Sequence, residues 1–135
     1  MFSNDEITLY NVYVENGIQH YSRTYISGVD WQSITATKLI EKGLVSADSV
    51  KVFIPYSAEF SGKEFLKPKA FNLSDKSNHF TFKTGDIMVK GIIDFELTGK
   101  APNNLKYLEE TYDDVVTIMG VMECDLTCNW EIGAN

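Results

Sequence analysis

Asn16-Gly17 lies between two runs of alternating residues and constrains the fold more than any other feature of this chain. Residues 7–14 are rich in Ile, Thr, Tyr and Val and alternate with period two, the pattern of a half-buried strand. Residues 18–26 repeat the pattern. An Asn-Gly pair between two such runs is the strongest short-range hairpin signal, because both residues tolerate the positive φ of a type I′ turn. Residues 7–26 are therefore expected to form a β-hairpin. Gly28 interrupts the alternation ahead of Val29 and Trp31, which predicts a bend or a bulge.

The same period runs through most of the chain. Residues 34–41 alternate, and their β-branched content favours a strand over a helix; Lys42-Gly43 reads as a turn. Val50, Val52 and Ile54 share one face of a strand over 50–55. Pro55 cannot donate to a ladder, so that strand ends there or lies at an edge. Residues 79–83 and 87–95 read as strands joined by Thr84-Gly85-Asp86, the second with Ile87, Val89, Gly91 and Ile93 on one face. Strands over 114–126 and 129–132 complete the pattern. Residues 102–112 form the persuasive helix: Pro102 suits its start and Asn103 or Asn104 can cap it. Leu105, Leu108 and Tyr112 share its apolar face. Residues 68–73 allow one short helical turn. The expected fold is mainly β, a small antiparallel β-barrel or sandwich with one short α-helix, in a single domain over 1–135.

The chain of 135 residues is 44% hydrophobic, which excludes a disordered or collagenous protein. Twelve Lys and Arg against 19 Asp and Glu give a net charge of -7, which argues against a dedicated nucleic-acid reader. No apolar run reaches the roughly 18 residues needed to span a bilayer. Residues 1–6 are acidic and lack the basic and apolar regions of a secretory signal, so the protein is expected to be soluble and made in the cytosol. Cys124 and Cys128 should then stay reduced.

Nucleophilic catalysis needs a base near the nucleophile, and the chain has only His20 and His79, neither in a motif. Both fit ordinary positions on a sheet. Cys124 and Cys128 make one pair where a structural zinc needs four ligands. Glu109, Glu110, Asp113 and Asp114 read as a solvated face rather than a calcium loop. The glycines form no phosphate-binding fingerprint. No catalytic, cofactor-binding or metal-ligating residue is expected, and the chain reads as a non-enzyme. Carboxylate-only chemistry such as glycoside hydrolysis is the enzyme class that spacing leaves open. The irregular loop over 56–69 is long for a chain of this size, and long loops often meet partners. Its Tyr56, Phe60, Lys63, Phe65, Leu66 and Lys67 are the candidate interface, with the exposed face of the 7–26 hairpin a second patch.

Several islands occur together: Leu9-Tyr10-Asn11; Arg23-Thr24 followed by Gly28-Val29-Asp30-Trp31; Lys42-Gly43-Leu44 with Ala47-Asp48-Ser49-Val50; and Ile54-Pro55. Gly85-Asp86-Ile87-Met88-Val89-Lys90-Gly91, Tyr112-Asp113-Asp114-Val115-Val116-Thr117-Ile118 and Trp130-Glu131-Ile132-Gly133 follow. This string resembles a functionally uncharacterised family of small morphogenesis proteins from tailed phages and prophages of Gram-positive hosts, over nearly the whole chain. The resemblance implies a virion structural protein of minor capsid or head–tail joining type. The specific expectation is a head–tail connector subunit of the stopper or head-completion kind, made in the host cytoplasm and placed in the virion neck. It would assemble into a ring, expected as a hexamer, and join portal or adaptor to tail proteins. DNA would be touched only in passing, without specific binding. No cofactor and no membrane contact are implied. The alternatives are a tail terminator or other joining protein, or a small β-barrel accessory protein with an apolar ligand cavity.

Overall fold

The computed structural model describes residues 4–40 and 43–135, with the backbone alone for 34–40 and 43–48. In chain order the elements are β1 (Asp5–Glu15), β2 (Ile18–Ile40), β3 (Gly43–Pro55), β4 (Glu64–Phe65), α1 (Pro68–Asn72), β5 (His79–Phe80), β6 (Ile87–Lys90), α2 (Leu105–Thr111), β7 (Val115–Cys124) and β8 (Asn129–Ala134). Six strands close an antiparallel barrel in the order β1-β2-β3-β8-β7-β6, while β4 and β5 pair in parallel beside it. Of the mainly β barrel or sandwich expected from sequence, the barrel is the observed fold. The short helical turn allowed over 68–73 forms as α1, beside the expected helix.

The hairpin forms where Asn16-Gly17 places it. Both turn residues take positive φ, 54° and 74°, and pairing runs from Glu15↔Ile18 to Ile7↔Ile26. The register then slips, from Glu6↔Ser27 to Asp5↔Val29, which leaves Gly28 as the extra residue of a bulge. Its φ of 87° is one that glycine takes at little cost. The Asp5 carboxylate accepts from the Trp31 N–H at 3.0 Å and secures the strand beyond the bulge.

The barrel encloses one core, with Ile7, Leu9, Val52, Ile54, Met88 and Ile132 fully buried. A second cluster lies outside the wall, where Tyr10, Ile87 and Val89 meet Leu97 and the α2 residue Leu108. The strands β1 and β6 are thus covered on both faces. That is why Ile87, Met88 and Val89 are buried in succession rather than alternately.

Two strands are much shorter than the alternation predicts, and β7, expected over 114–126, runs from Val115 to Cys124. The strand expected over 87–95 stops at Lys90, because Gly91, at φ 98°, turns the chain. Beyond it, side chains replace a ladder. The hydroxyls of Tyr25 and Tyr10 donate to the carbonyls of Ile93 and Phe95, each at 2.7 Å, and Arg23 Nη1 adds a bond to Phe95 at 3.1 Å. Thr8 Oγ1 accepts from the Ile93 N–H and donates to the Gly91 carbonyl. The strand expected over 79–83 is confined to His79–Phe80, since Asn11 grips Thr81 instead: its Nδ2 donates to the Thr81 carbonyl and its Oδ1 accepts from the Thr81 N–H.

The helix starts later than Pro102 suggests. Asn104 is its cap, with Oδ1 accepting from the Tyr107 N–H at 2.9 Å. Leu108 is buried, and Leu105 and Tyr112 are half-buried, the apolar face that spacing predicts. Of the expected Lys42-Gly43 turn, Lys42 lies outside the described residues and Gly43 opens β3.

Candidate functional site

The loop over 56–69 packs into the mouth of the barrel. Phe60 stacks on Phe80 with centroids 4.8 Å apart, and Phe65 meets Trp130 at 4.7 Å and Phe82 at 5.9 Å. Tyr56 sets its ring edge-on to Trp130 at 4.6 Å and donates its hydroxyl to Asp125 at 2.8 Å. Burial of the ring, aided by the Asp125 carboxylate, pushes that phenol up to about 12. Lys63 Nζ donates to the Arg23 carbonyl at 2.6 Å and to Thr24 Oγ1 at 3.0 Å. Burial, with the nearby Arg23 charge, lowers the Lys63 ammonium below its usual range. Leu66 is half-buried, its N–H donating to the Phe80 carbonyl, while Lys67 is exposed at the N-cap of α1. Of the six candidate interface residues, Lys67 is exposed and the other five are half-buried. The aromatics complete the core, which composition and spacing could not distinguish from an exposed patch.

The polar groups weighed for chemistry are dispersed. His20 stacks on Tyr13 across the hairpin at 5.4 Å, and His79 Nδ1 lies 2.9 Å from the Asp75 carbonyl. Cys124 and Cys128 are free thiols. Hydrogen bonds from Thr127 lower the Cys124 thiol below its ordinary value. Glu109, Glu110, Asp113 and Asp114 are exposed around the end of α2. Among the described residues, no three His, Cys, Asp or Glu cluster to hold a metal ion.

One buried charge escaped the sequence reading. Asp86 has no exposed surface, yet four donors surround it: Lys83 Nζ at 2.5 Å, Asn11 Nδ2 at 2.7 Å, and the N–H groups of Val12 at 3.0 Å and Lys83 at 3.2 Å. Burial holds its carboxyl above the ordinary carboxylate range, against the pull of Lys83 and these hydrogen bonds. The arrangement knots β1 to the turn before β6. Its one sequence signal is Thr84-Gly85-Asp86, which reads as an ordinary turn.

The surfaces left for a partner lie elsewhere. A groove of about 500 Å³ between the hairpin and the residues after α1 is lined by Tyr13, Asp75 and Lys76 among others. Its cation is already engaged: Lys76 Nζ donates to the carbonyls of Asn72 and Ser74 and lies 5.3 Å from the Tyr13 and Phe71 ring centres.

More distinctive are two unpaired sheet edges. Pairing of β2 with β1 ends at Val29, and pairing of β3 with β8 begins at Val50. Between these limits, from Ile34↔Ser49 to Ile40↔Gly43, β2 and β3 pair only with each other among the described residues. The result is a two-stranded ribbon of seven pairs, about 24 Å long at the rise of an antiparallel strand.

The second edge belongs to β7. Its pairing with β6 ends at Thr117, with one further exchange between Ile118 and the turn at Gly85 and Asp86. A register shift between Ile118 and Gly120 follows, and from there β7 pairs with β8 alone. This stretch exposes Met119 (58%), Met122 (59%) and Val121 (37%). Beside it, Gly120 and Gly133 help to line a shallow groove of about 330 Å³, whose border includes the Lys51–Glu131 ion pair at 2.9 Å.

A family model matches residues 2–135, nearly the full chain. The chain belongs to DUF6751, a family of unknown function. No curated protein and no solved structure matches it. In this DUF6751 chain the ribbon and the β7 edge are the two candidate functional surfaces, each open to strand pairing.

Proposed function

We propose that the protein is a structural subunit of a tailed-phage virion, a head–tail connector of the stopper or head-completion type. It assembles as a ring in the neck and joins portal or adaptor to tail. The observation that carries this is the β2–β3 ribbon. A two-stranded ribbon is marginal on its own in water, because it lacks a third strand or a packed face. It becomes worth keeping where a neighbouring molecule completes it. A contact that uses the ribbon on one copy and a different surface on the next is heterologous, and such contacts close into rings when the rotation per step allows it.

Three further points support this. The resemblance in sequence supplies the phage setting. The interior of the barrel is filled by side chains, including Trp130, Phe80 and Phe82, which favours a structural role over an internal ligand site. The net charge of -7 suits a ring that lets DNA pass without holding it, since phosphates gain nothing from an acidic wall. A tail terminator or other joining protein would use the same surfaces at another level of the neck.

Native mass spectrometry and electron microscopy of the protein, alone and with portal and adaptor proteins, test the proposal. A ring of defined copy number, six by expectation, is the predicted result. A monomer under every condition would overturn it. Cryo-EM of the intact neck then separates stopper from terminator. Acids clustered on the outer wall, away from any lumen, would reduce the charge to a solubility feature.

A further inference from the structure

We propose that the β2 half of the ribbon on one copy adds to the free edge of β7 on a second copy, extending that copy's β7–β8 sheet. The inference rests on the ring reading above and names the surface that receives the ribbon.

The first ground is geometric. The ribbon leaves the barrel at the end marked by Val50 and Ala134, a paired couple on β3 and β8. The free part of β7 runs the other way, through Cys124↔Asn129 toward Pro55, which pairs with Asn129. The two edges therefore point to opposite ends of one molecule and cannot meet within it. Their lengths are similar: residues 34–40 of β2 offer seven positions, and residues 120–124 of β7, which pair with β8 alone, offer five.

The second ground is the character of the edge. Natural sheets guard a free edge with lysines, prolines or inward charges, because its open N–H and C=O groups invite other strands. Residues 119–124 of β7 are Met-Gly-Val-Met-Glu-Cys, with no lysine and no proline. They show three exposed apolar side chains, two of them methionines, which adapt readily to a partner. An edge left open and apolar fits strand addition, in which main-chain bonds supply affinity and side-chain contacts supply register.

The third ground is charge. Lys38 is the one charged residue of 34–40, and Glu123 is the one charged residue of 119–124. Glu123, which lies across the ladder from Trp130, makes no ion pair among the described residues, whereas Glu131, across from Met122, is held by Lys51. Opposite charges on the two edges favour this pairing and select its register. The occupant is therefore a second copy of this chain.

Carbodiimide cross-linking of a mixture of isotopically light and heavy wild-type protein tests the contact directly. A light–heavy cross-link between Lys38 and Glu123 is the expected product. Glu123→Lys should weaken assembly by more than about tenfold, and adding Lys38→Glu should restore it. Met122→Lys should block assembly, while each variant monomer keeps the wild-type circular dichroism and melting temperature. Replacing residues 36–47 with Asn-Gly should give a folded monomer. Rings that persist in Glu123→Lys and Met122→Lys, or cross-links that map to the 56–69 loop, would overturn the docking surface and leave the ring standing. A wild-type protein that stays monomeric throughout would remove both.

Discussion

Gly120 on β7 lies directly opposite Gly133 on β8, and a Cβ built on either would meet no atom within 4 Å. Neither glycine holds a positive φ. Their lack of side chains is therefore not a demand of the backbone, and it opens the groove beside the β7 edge. Gly120→Val should leave the fold intact and raise its stability by roughly 0.5–1 kcal/mol, since glycine weakens strands. The same change fills the groove and should weaken self-assembly. Thermal melts and native mass spectrometry on one sample read the two effects separately.

Asp86 makes a different kind of test. Its carboxylate accepts from Asn11, Val12 and Lys83, all around a site without solvent exposure. Asp86→Ala strands those donors and should cost about 3–5 kcal/mol in denaturant unfolding. Because burial raises its folded value above the ordinary 3.8, the folded protein takes up this proton at a higher pH than the unfolded chain. This group's contribution to stability therefore grows as pH falls through the raised value and levels off below 3.8. The stability gap between wild type and Asp86→Asn should accordingly be wider at pH 4 than at pH 7.

The stretch after Gly91 is anchored by two phenols, Tyr10 on Phe95 and Tyr25 on Ile93. Removing either hydroxyl should cost about 1 kcal/mol. In the Tyr10→Phe/Tyr25→Phe double variant, amide hydrogen exchange should speed up over residues 92–97 and leave the barrel strands protected. Uniform acceleration across the barrel would show that these bonds stabilise the whole fold rather than this segment.

Phe80 has no exposed surface and contacts Phe60, Phe65 and Phe82. Phe80→Ala should destabilise the protein by about 3–5 kcal/mol, with a cavity as part of the loss. Lys67→Ala, at an exposed position in the same region, should stay within about 0.5 kcal/mol of wild type in the same melts.

Much of the fold was legible from local chemistry. Asn16-Gly17 marks its hairpin, Gly28 a bend or bulge and Asn103 or Asn104 its helix cap, because each signal is a backbone preference expressed within a few residues; the fold selects the bulge and Asn104. The strands β7 and β8 were legible for the same reason. The candidate site was far less so. Phe60 and Phe65 look identical in sequence whether they face a partner or Trp130, and only the folded chain orients them. Ile92 and Ile93 continue an alternation that Gly91 has already broken.

By itself the sequence determined the strand-rich class, the turns and the capped helix, since these depend on side-chain period and on φ preferences close along the chain. The tertiary structure alone decided which strands close the barrel, how far β6 runs, where Asp86 is buried and which edges stay open. Those outcomes depend on register between residues far apart in sequence. Pairing of β1 stops at Val29 and pairing of β8 starts at Val50, and that difference alone turns an alternating segment into a ribbon without a third strand.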